Sequence, residues 1–304
     1  MTRIDAFAHV LPPKFYQRML DIDQGIPEKL PFIKHPLLQN QSDKRQYWDG
    51  QTKEIISSVN INPEDYTRPE LAYQICPAGN EELIAMVKQN TDMVYACLAM
   101  LPMNHLDGAL ELLQQQVLKH KEMVGIQLFT QALGKSIADA EFERIFAFCH
   151  DHDIPIWLHP VFDERKPDNN ILFSWEYELS QAMLDIVTAA YFKKYPRLKI
   201  IVHHAGAMIP YFAGRIEHIL PKDLAKDFKQ FYVDTALLGN PKALALAIDY
   251  FGVDHVLFGT DAPLGIAPAG ATTTIVKVIE SLPLSPTAKQ AIFEHKVLQL
   301  IEGD

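Results

Sequence analysis

Eight short apolar runs punctuate the 304-residue chain, and most are apolar at consecutive rather than alternate positions. A strand that buries one face alternates. A strand that is apolar throughout is covered on both faces, as strands are in a parallel sheet with helices packed outside it. The runs lie at 3–7, 55–59, 93–101, 124–129, 154–158, 198–203, 231–235 and 255–259. Segments with helical spacing separate most of them. Leu106, Leu110, Leu113 and Val117 share one face, for example, and Asn104 reads as the cap of their helix. Strands joined by helical crossovers in this number predict an α/β fold, a closed (β/α)8 or TIM barrel, as one domain over residues 1–304. No Gly-rich phosphate loop follows the first strand, which argues against an open nucleotide-binding sheet. Residues 10–50, with five prolines from Pro12 to Pro36, read as an irregular insertion after strand one. A helix from Ser285 to about Ile301 closes the chain.

Composition narrows the partners. The formal charge is −10, and no basic cluster is denser than Lys193-Lys194-Tyr195-Pro196-Arg197. Nucleic acid and anionic membrane need a concentrated basic face, so neither is expected. No run of eighteen apolar residues is present, so no membrane span is expected. Cys76, Cys97 and Cys149 are few, odd in number and far apart, and they read as reduced thiols of a cytoplasmic protein. Met1-Thr2-Arg3 leads directly into the first strand, so no leader is expected before the fold.

The ends of the strands carry the chemistry. Ile4–Ala8 runs into His9, Ile154–Leu158 into His159, Leu198–Val202 into His203-His204, and Val256–Phe258 into Gly259-Thr260-Asp261. In a closed parallel barrel these ends converge on the C-terminal face, where such barrels build their sites. Imidazole plus carboxylate is the donor set of a catalytic divalent metal. Any one histidine at a strand end is more often a hydrogen-bonded loop residue than a ligand. Four polar strand ends together point to one site. If both residues of the His203-His204 pair lie on the strand, their side chains point opposite ways, which assigns His203 to packing.

At these positions the chain resembles the amidohydrolase superfamily, and within it the branch containing aminocarboxymuconate semialdehyde decarboxylase and related aromatic-acid decarboxylases. The resemblance is carried, in the family's order, by Ile4-Asp5 through His9-Val10-Leu11-Pro12, Val124-Gly125-Ile126-Gln127, Leu158-His159-Pro160, Tyr195–Lys199, His204-Ala205-Gly206-Ala207, Gly214-Arg215-Ile216 and Phe258-Gly259-Thr260-Asp261. It implies that His9, His159 and Asp261 hold one divalent metal, Zn2+ first and Mn2+ as the alternative. It implies further that His204 and Asp261 act as acid or base, and that Arg215 meets a substrate carboxylate, in some relatives in a neighbouring subunit's site. A homodimer follows as an expectation from the family alone. The chain departs from the pattern at Phe7, where relatives commonly place a further ligand.

The implied reaction is decarboxylation of a small, possibly aromatic, carboxylic acid. Metal-dependent hydrolysis of an ester, lactone or amide would use the same residues. A barrel that has lost its metal and only binds a small acid stays open because of Phe7, as does a metal-free acid–base pair of His204 and Asp261. Gln127 and Phe129 stand where a bridging lysine would serve a two-metal site, so a single metal is expected. The loop Val161–Ser174, with Phe162, Asp163, Arg165, Lys166 and Asn170, reads as a lid or as a solvated connection.

Overall fold

The computed structural model describes residues 2–162 and 169–303. Its main sheet has seven parallel strands in sequential order: β1 (Arg3–Val10), β2 (Thr52–Ser58), β3 (Val94–Ala99), β4 (Met123–Phe129), β5 (Ile156–His159), β6 (Ile200–Val202) and β7 (Tyr232–Val233). Residues 256–262 close the ring. Leu257 N donates to Val233 O on one side, while Ala6 N donates to Phe258 O and His9 N to Ala262 O on the other. Isolated bridges Val233↔Val256 and Ala8↔Ala262 mark the same two seams. The eighth strand expected at 255–259 therefore occupies its place without becoming a regular strand, because Asp261 turns to φ 64° just beyond it.

Two apolar layers hold the ring. Inside it Ile4, Ala6, Ile55, Ala96, Leu98, Trp157, Ile201 and Leu257 fill the barrel, and Val297 and Leu300 of the last helix plug its N-terminal end. Trp157 donates its indole N–H to Ala6 O at 2.8 Å, so the floor beneath the strand ends is solid. Gly125 leaves room for that ring: a Cβ there would sit 2.5 Å from Trp157 Cζ3 and 2.6 Å from Pro155 O. Outside the ring, the larger core joins the strands to the helices.

The helices correct several expectations. One helix runs from Pro69 to Gln89, with Pro77 inside it. His105, not Asn104, caps the next helix, its ring accepting from Gly108 N. Another helix covers Ser174–Thr188, and the chain breaks at Ala190, φ 60°, before a short turn Tyr191–Lys194. The 10–50 insertion is not irregular. It is a string of short helices beginning with Pro13–Ile22, and its Phe15, Met19, Ile26 and Ile33 are buried in the outer core. Its apolar residues are too few for a core of their own, but they pack as a cover over one the barrel already has. Among the described residues no helix is long and apolar enough to cross a membrane.

Candidate active site

Four imidazoles meet around the ring of Phe7. Centroid distances are 3.4 Å to His203, stacked at 19°, 4.8 Å to His9, 5.6 Å to His159 and 6.0 Å to His204. Phe7 is 2% exposed, and its backbone also fixes the carboxylate strand end, since Phe7 O accepts from Asp261 N at 2.8 Å. Beneath it, buried Asp5 accepts from Phe7 N and Thr260 N, each at 3.0 Å, and from the Thr260 hydroxyl. Burial, then the nearby Glu54, pushes the Asp5 carboxyl well above the usual range.

His9, His159 and Asp261 lie close together. His9 Nε2 lies 3.2 Å from His159 Nε2 and 3.3 Å from Asp261 Oδ1. Each imidazole is held from behind. Ser57 Oγ and His9 Nδ1 are hydrogen-bonded at 3.0 Å, and His159 Nδ1 donates to Pro160 O at 2.5 Å. The second bond settles the tautomer: a carbonyl only accepts, so neutral His159 presents an unprotonated Nε2 to the site. Burial, followed by the neighbouring His9 and His203, holds the His159 imidazole well below its usual range. This is the form a metal needs.

The donor set can be tested against an ion. Two ligands of one tetrahedral zinc, each roughly 2.0–2.2 Å from it, lie about 3.3 Å apart, which matches both measured separations. Yet among the described residues no three His, Cys, Asp or Glu side chains enclose one point tightly enough to hold an ion as they stand. The set fits in donor type and in two of its edges, and the Phe7 ring packed beside His9 and His159 adds no donor.

His204 lies on the opposite side. The strand expectation for the pair fails, because β6 ends at Val202 and His204 and Ala205 take left-handed backbone, φ 55° and 54°. Both rings consequently face Phe7, where an extended strand would have turned them apart. Left-handed backbone costs about 1–2 kcal/mol at a residue with a Cβ. Asp234 holds the turn: it accepts from Ala205 N at 3.2 Å and Ala236 N at 2.9 Å through Oδ1, and from His203 Nδ1 at 2.7 Å through Oδ2. Burial, then the charge on His204, keeps His203 low, and its Nε2 has no hydrogen-bond partner. His204 Nδ1 donates to Glu176 Oε1 at 2.7 Å. Burial disfavours its charge, but Glu176, with Asp261 and Asp234 behind it, wins and pushes His204 up to about 9. Trp175 lies nearly parallel to His204 at 6.4 Å and edge-on to His159 at 5.8 Å.

The sequence reading missed Glu176, Asp234 and Ser57. Asp234 had a signal, since it follows Tyr232-Val233 in the same way that Asp261 follows its own apolar run. Glu176 had none, because a helix beyond a loop delivers it. Arg215 is not gathered into the site of its own chain. It stands exposed on the helix Ala213–Ile219, and among the described residues its side chain makes no ion pair or hydrogen bond. In the Val161–Ser174 loop, Asp163, Arg165 and Lys166 lie outside the described residues. Phe162 packs edge-on against Phe32 of the insertion at 5.7 Å, and Asn170 Oδ1 accepts from Leu172 N and Phe173 N.

The family model for amidohydrolases matches residues 56–295. The chain belongs to the amidohydrolase family. A 6-methylsalicylic acid decarboxylase from Penicillium expansum is 27% identical over 99% of this chain and 96% of its own. A 2-amino-3-carboxymuconate-6-semialdehyde decarboxylase from Dictyostelium discoideum is 24% identical over 83% of this chain and 73% of its own. The amidohydrolase fold is also that of a dihydroxybenzoic acid decarboxylase from Polaromonas, solved with manganese and 2-nitroresorcinol. That structure matches 99% of this chain and 97% of its own, with a TM-score of 0.81 at 20% identity. These relatives agree with the branch that the strand-end motifs implied.

Proposed function

We propose that this amidohydrolase is a metal-dependent decarboxylase of a small aromatic carboxylic acid. The observation that carries the reading is the gathering of His9, His159 and Asp261 on one side of the Phe7 ring and of His204, backed by Glu176, on the other. His9, His159 and Asp261 would hold the ion, and manganese in the Polaromonas relative supports a divalent metal, with zinc the finer choice their spacing favours. A divalent ion there supplies Lewis-acid stabilisation of negative charge on a bound oxygen. His204, with Nδ1 committed to Glu176, has only Nε2 free for chemistry. Its cation receives the acid's carboxylate. The bond from the ring carbon to the carboxylate breaks, that carbon takes a proton from His204 Nε2 with Asp261 alongside as relay, and carbon dioxide leaves. His204 regains its proton from water. Trp175 and Phe7 exclude water from this exchange.

The test is carbon dioxide release from ortho-hydroxylated aromatic acids by protein loaded with manganese or zinc. Release that stops on metal removal is expected. No release from any such acid, with turnover of simple esters instead, would hand the site to hydrolysis.

Arg215 supports a finer reading, a homodimer in which it reaches the neighbouring copy's substrate. Exposed Tyr211 and Ile219 flank it, 77% and 64% accessible. Mixing inactive His204→Asn and Arg215→Ala chains should then restore part of the activity, and failure to do so removes the shared site. The free, buried Cys76, Cys97 and Cys149 support a reducing, cytoplasmic setting.

A further inference from the structure

The first strand switches faces midway. From Ile4 and Ala6, which face the barrel interior, strict alternation would turn Ala8 and Val10 inward and His9 outward. Instead Val10 joins the outer core, and His9 meets Ser57 at the site. The register shows where the switch occurs. β1 advances three residues from Asp5 to Ala8 while β2 advances two, from Glu54 to Ile56. The extra residue at Ala6-Phe7 is a β-bulge, and a bulge re-aims the side chains that follow it. His9 owes its direction to this one.

A bulge also takes an amide out of the ladder. Here the Phe7 N–H goes to Asp5 Oδ1 at 3.0 Å. The same oxygen accepts from Thr260 N at 3.0 Å, across the seam that closes the barrel, and Oδ2 accepts from the Thr260 hydroxyl. Phe7 O in turn accepts from Asp261 N at 2.8 Å. Asp5 is 0% exposed, and its carboxyl joins the bulge before His9 to the turn that carries Asp261, whose backbone sits at φ 64°. The closing segment meets its neighbours here through isolated bridges, so these side-chain bonds act where a ladder acts elsewhere.

We propose that Asp5 is the positioning residue of the metal site. Its carboxyl clamps the Ala6-Phe7 bulge to the Thr260-Asp261 turn, and so sets where His9 and Asp261 stand relative to each other. It acts through Phe7 and Thr260, not on the reacting atoms. The proposal rests on the reading of His9, His159 and Asp261 as ligands.

The test is calorimetric titration of manganese into metal-free protein, well below its thermal midpoint, with that midpoint measured alongside. Asp5→Ala should bind manganese about 10–100-fold more weakly than the natural protein. Asp5→Asn should stay within about threefold, since its amide oxygen accepts both N–H bonds and its NH2 donates to the Thr260 oxygen. Burial, then Glu54, already pushes the carboxyl well above its usual range, so an uncharged amide is a close copy. Thr260→Val removes one of the three bonds to Asp5. It should bind about fivefold more weakly, and it carries the test if Asp5→Ala fails to fold.

An Asp5→Ala protein that melts lower but binds as tightly, or a Thr260→Val protein of natural affinity, overturns the proposal and leaves Asp5 a support of the fold only. Equal weakening in Asp5→Ala and Asp5→Asn overturns it too, because charge and not the clamp would then be acting. A natural protein that takes neither manganese nor zinc sinks the ligand reading instead. Crystal structures of metal-free Asp5→Ala or Thr260→Val then judge the clamp. A displaced bulge with His9 withdrawn from Ser57 supports it, and both in place overturn it.

Discussion

The two sides of Phe7 back the same kind of side chain with opposite kinds of partner. On the β1–β5 side, His9 and His159 are backed by neutral partners, the Ser57 hydroxyl and the Pro160 carbonyl. On the β6 side, His203 and His204 are backed by carboxylates, Asp234 and Glu176. A neutral partner leaves burial unopposed, and at His159 the imidazole stays uncharged with a lone pair to offer. A carboxylate can overcome burial, as at His204, and make the imidazole a proton donor. It does not always do so: His203 stays low, shut between Phe7 and the interior. The ring nitrogens therefore take their roles from what stands behind them.

The largest effect should come from the β6 side. His204→Asn removes the imidazole that Glu176 keeps charged and should lower turnover by roughly 10²–10⁴, with metal content unchanged. The check is turnover beside elemental analysis, and loss of metal instead would mean that His204 belongs to the other side. A smaller effect should follow from the neutral backing. Ser57→Ala leaves His9 in place but frees its ring, and metal affinity should fall about 10–100-fold, with turnover recovering at high metal. Titration with manganese reads this directly. Unchanged affinity would show that Ser57 does not hold a ligand.

The sequence yields the β1–β5 side more completely than the β6 side, for a physical reason. His9, His159 and Asp261 end apolar runs, and a parallel barrel gathers such ends whatever the loops do. The same logic gave the barrel itself, including a closing segment at 256–262 that is not a regular strand. The logic breaks at His203-His204, where alternation was extended past the last extended residue. The left-handed turn that brings both rings inward depends on Asp234, about thirty positions away. Glu176 and the insertion were illegible for a similar reason: each acts by packing onto a barrel that its own local pattern does not announce. Arg215 shows the converse, because a motif places it on a helix but does not say whose site it meets.

The smallest expected effect, and the most discriminating, is Glu176→Gln. Glu176 is the largest of the contributions that raise His204, with Asp261 and Asp234 adding less. A raised imidazole is charged below its pKa and loses the charge as pH climbs through it, here about 9. Decarboxylation by the natural protein should thus hold up to that region and decline above it. In the variant burial prevails, and the decline should move down toward the ordinary imidazole range, near 6.5. Below about pH 6 both proteins carry much of the charge, so their rates should differ by only a few fold. The same linkage acts on folding: the pair stabilises the native state fully below about 6.5, and that contribution disappears as pH rises through about 9. Thermal midpoints of the two proteins should accordingly approach one another in alkali. A rate profile whose alkaline limb stays in place in Glu176→Gln would show that the proton comes from elsewhere, with Asp261 the remaining donor within the same cluster.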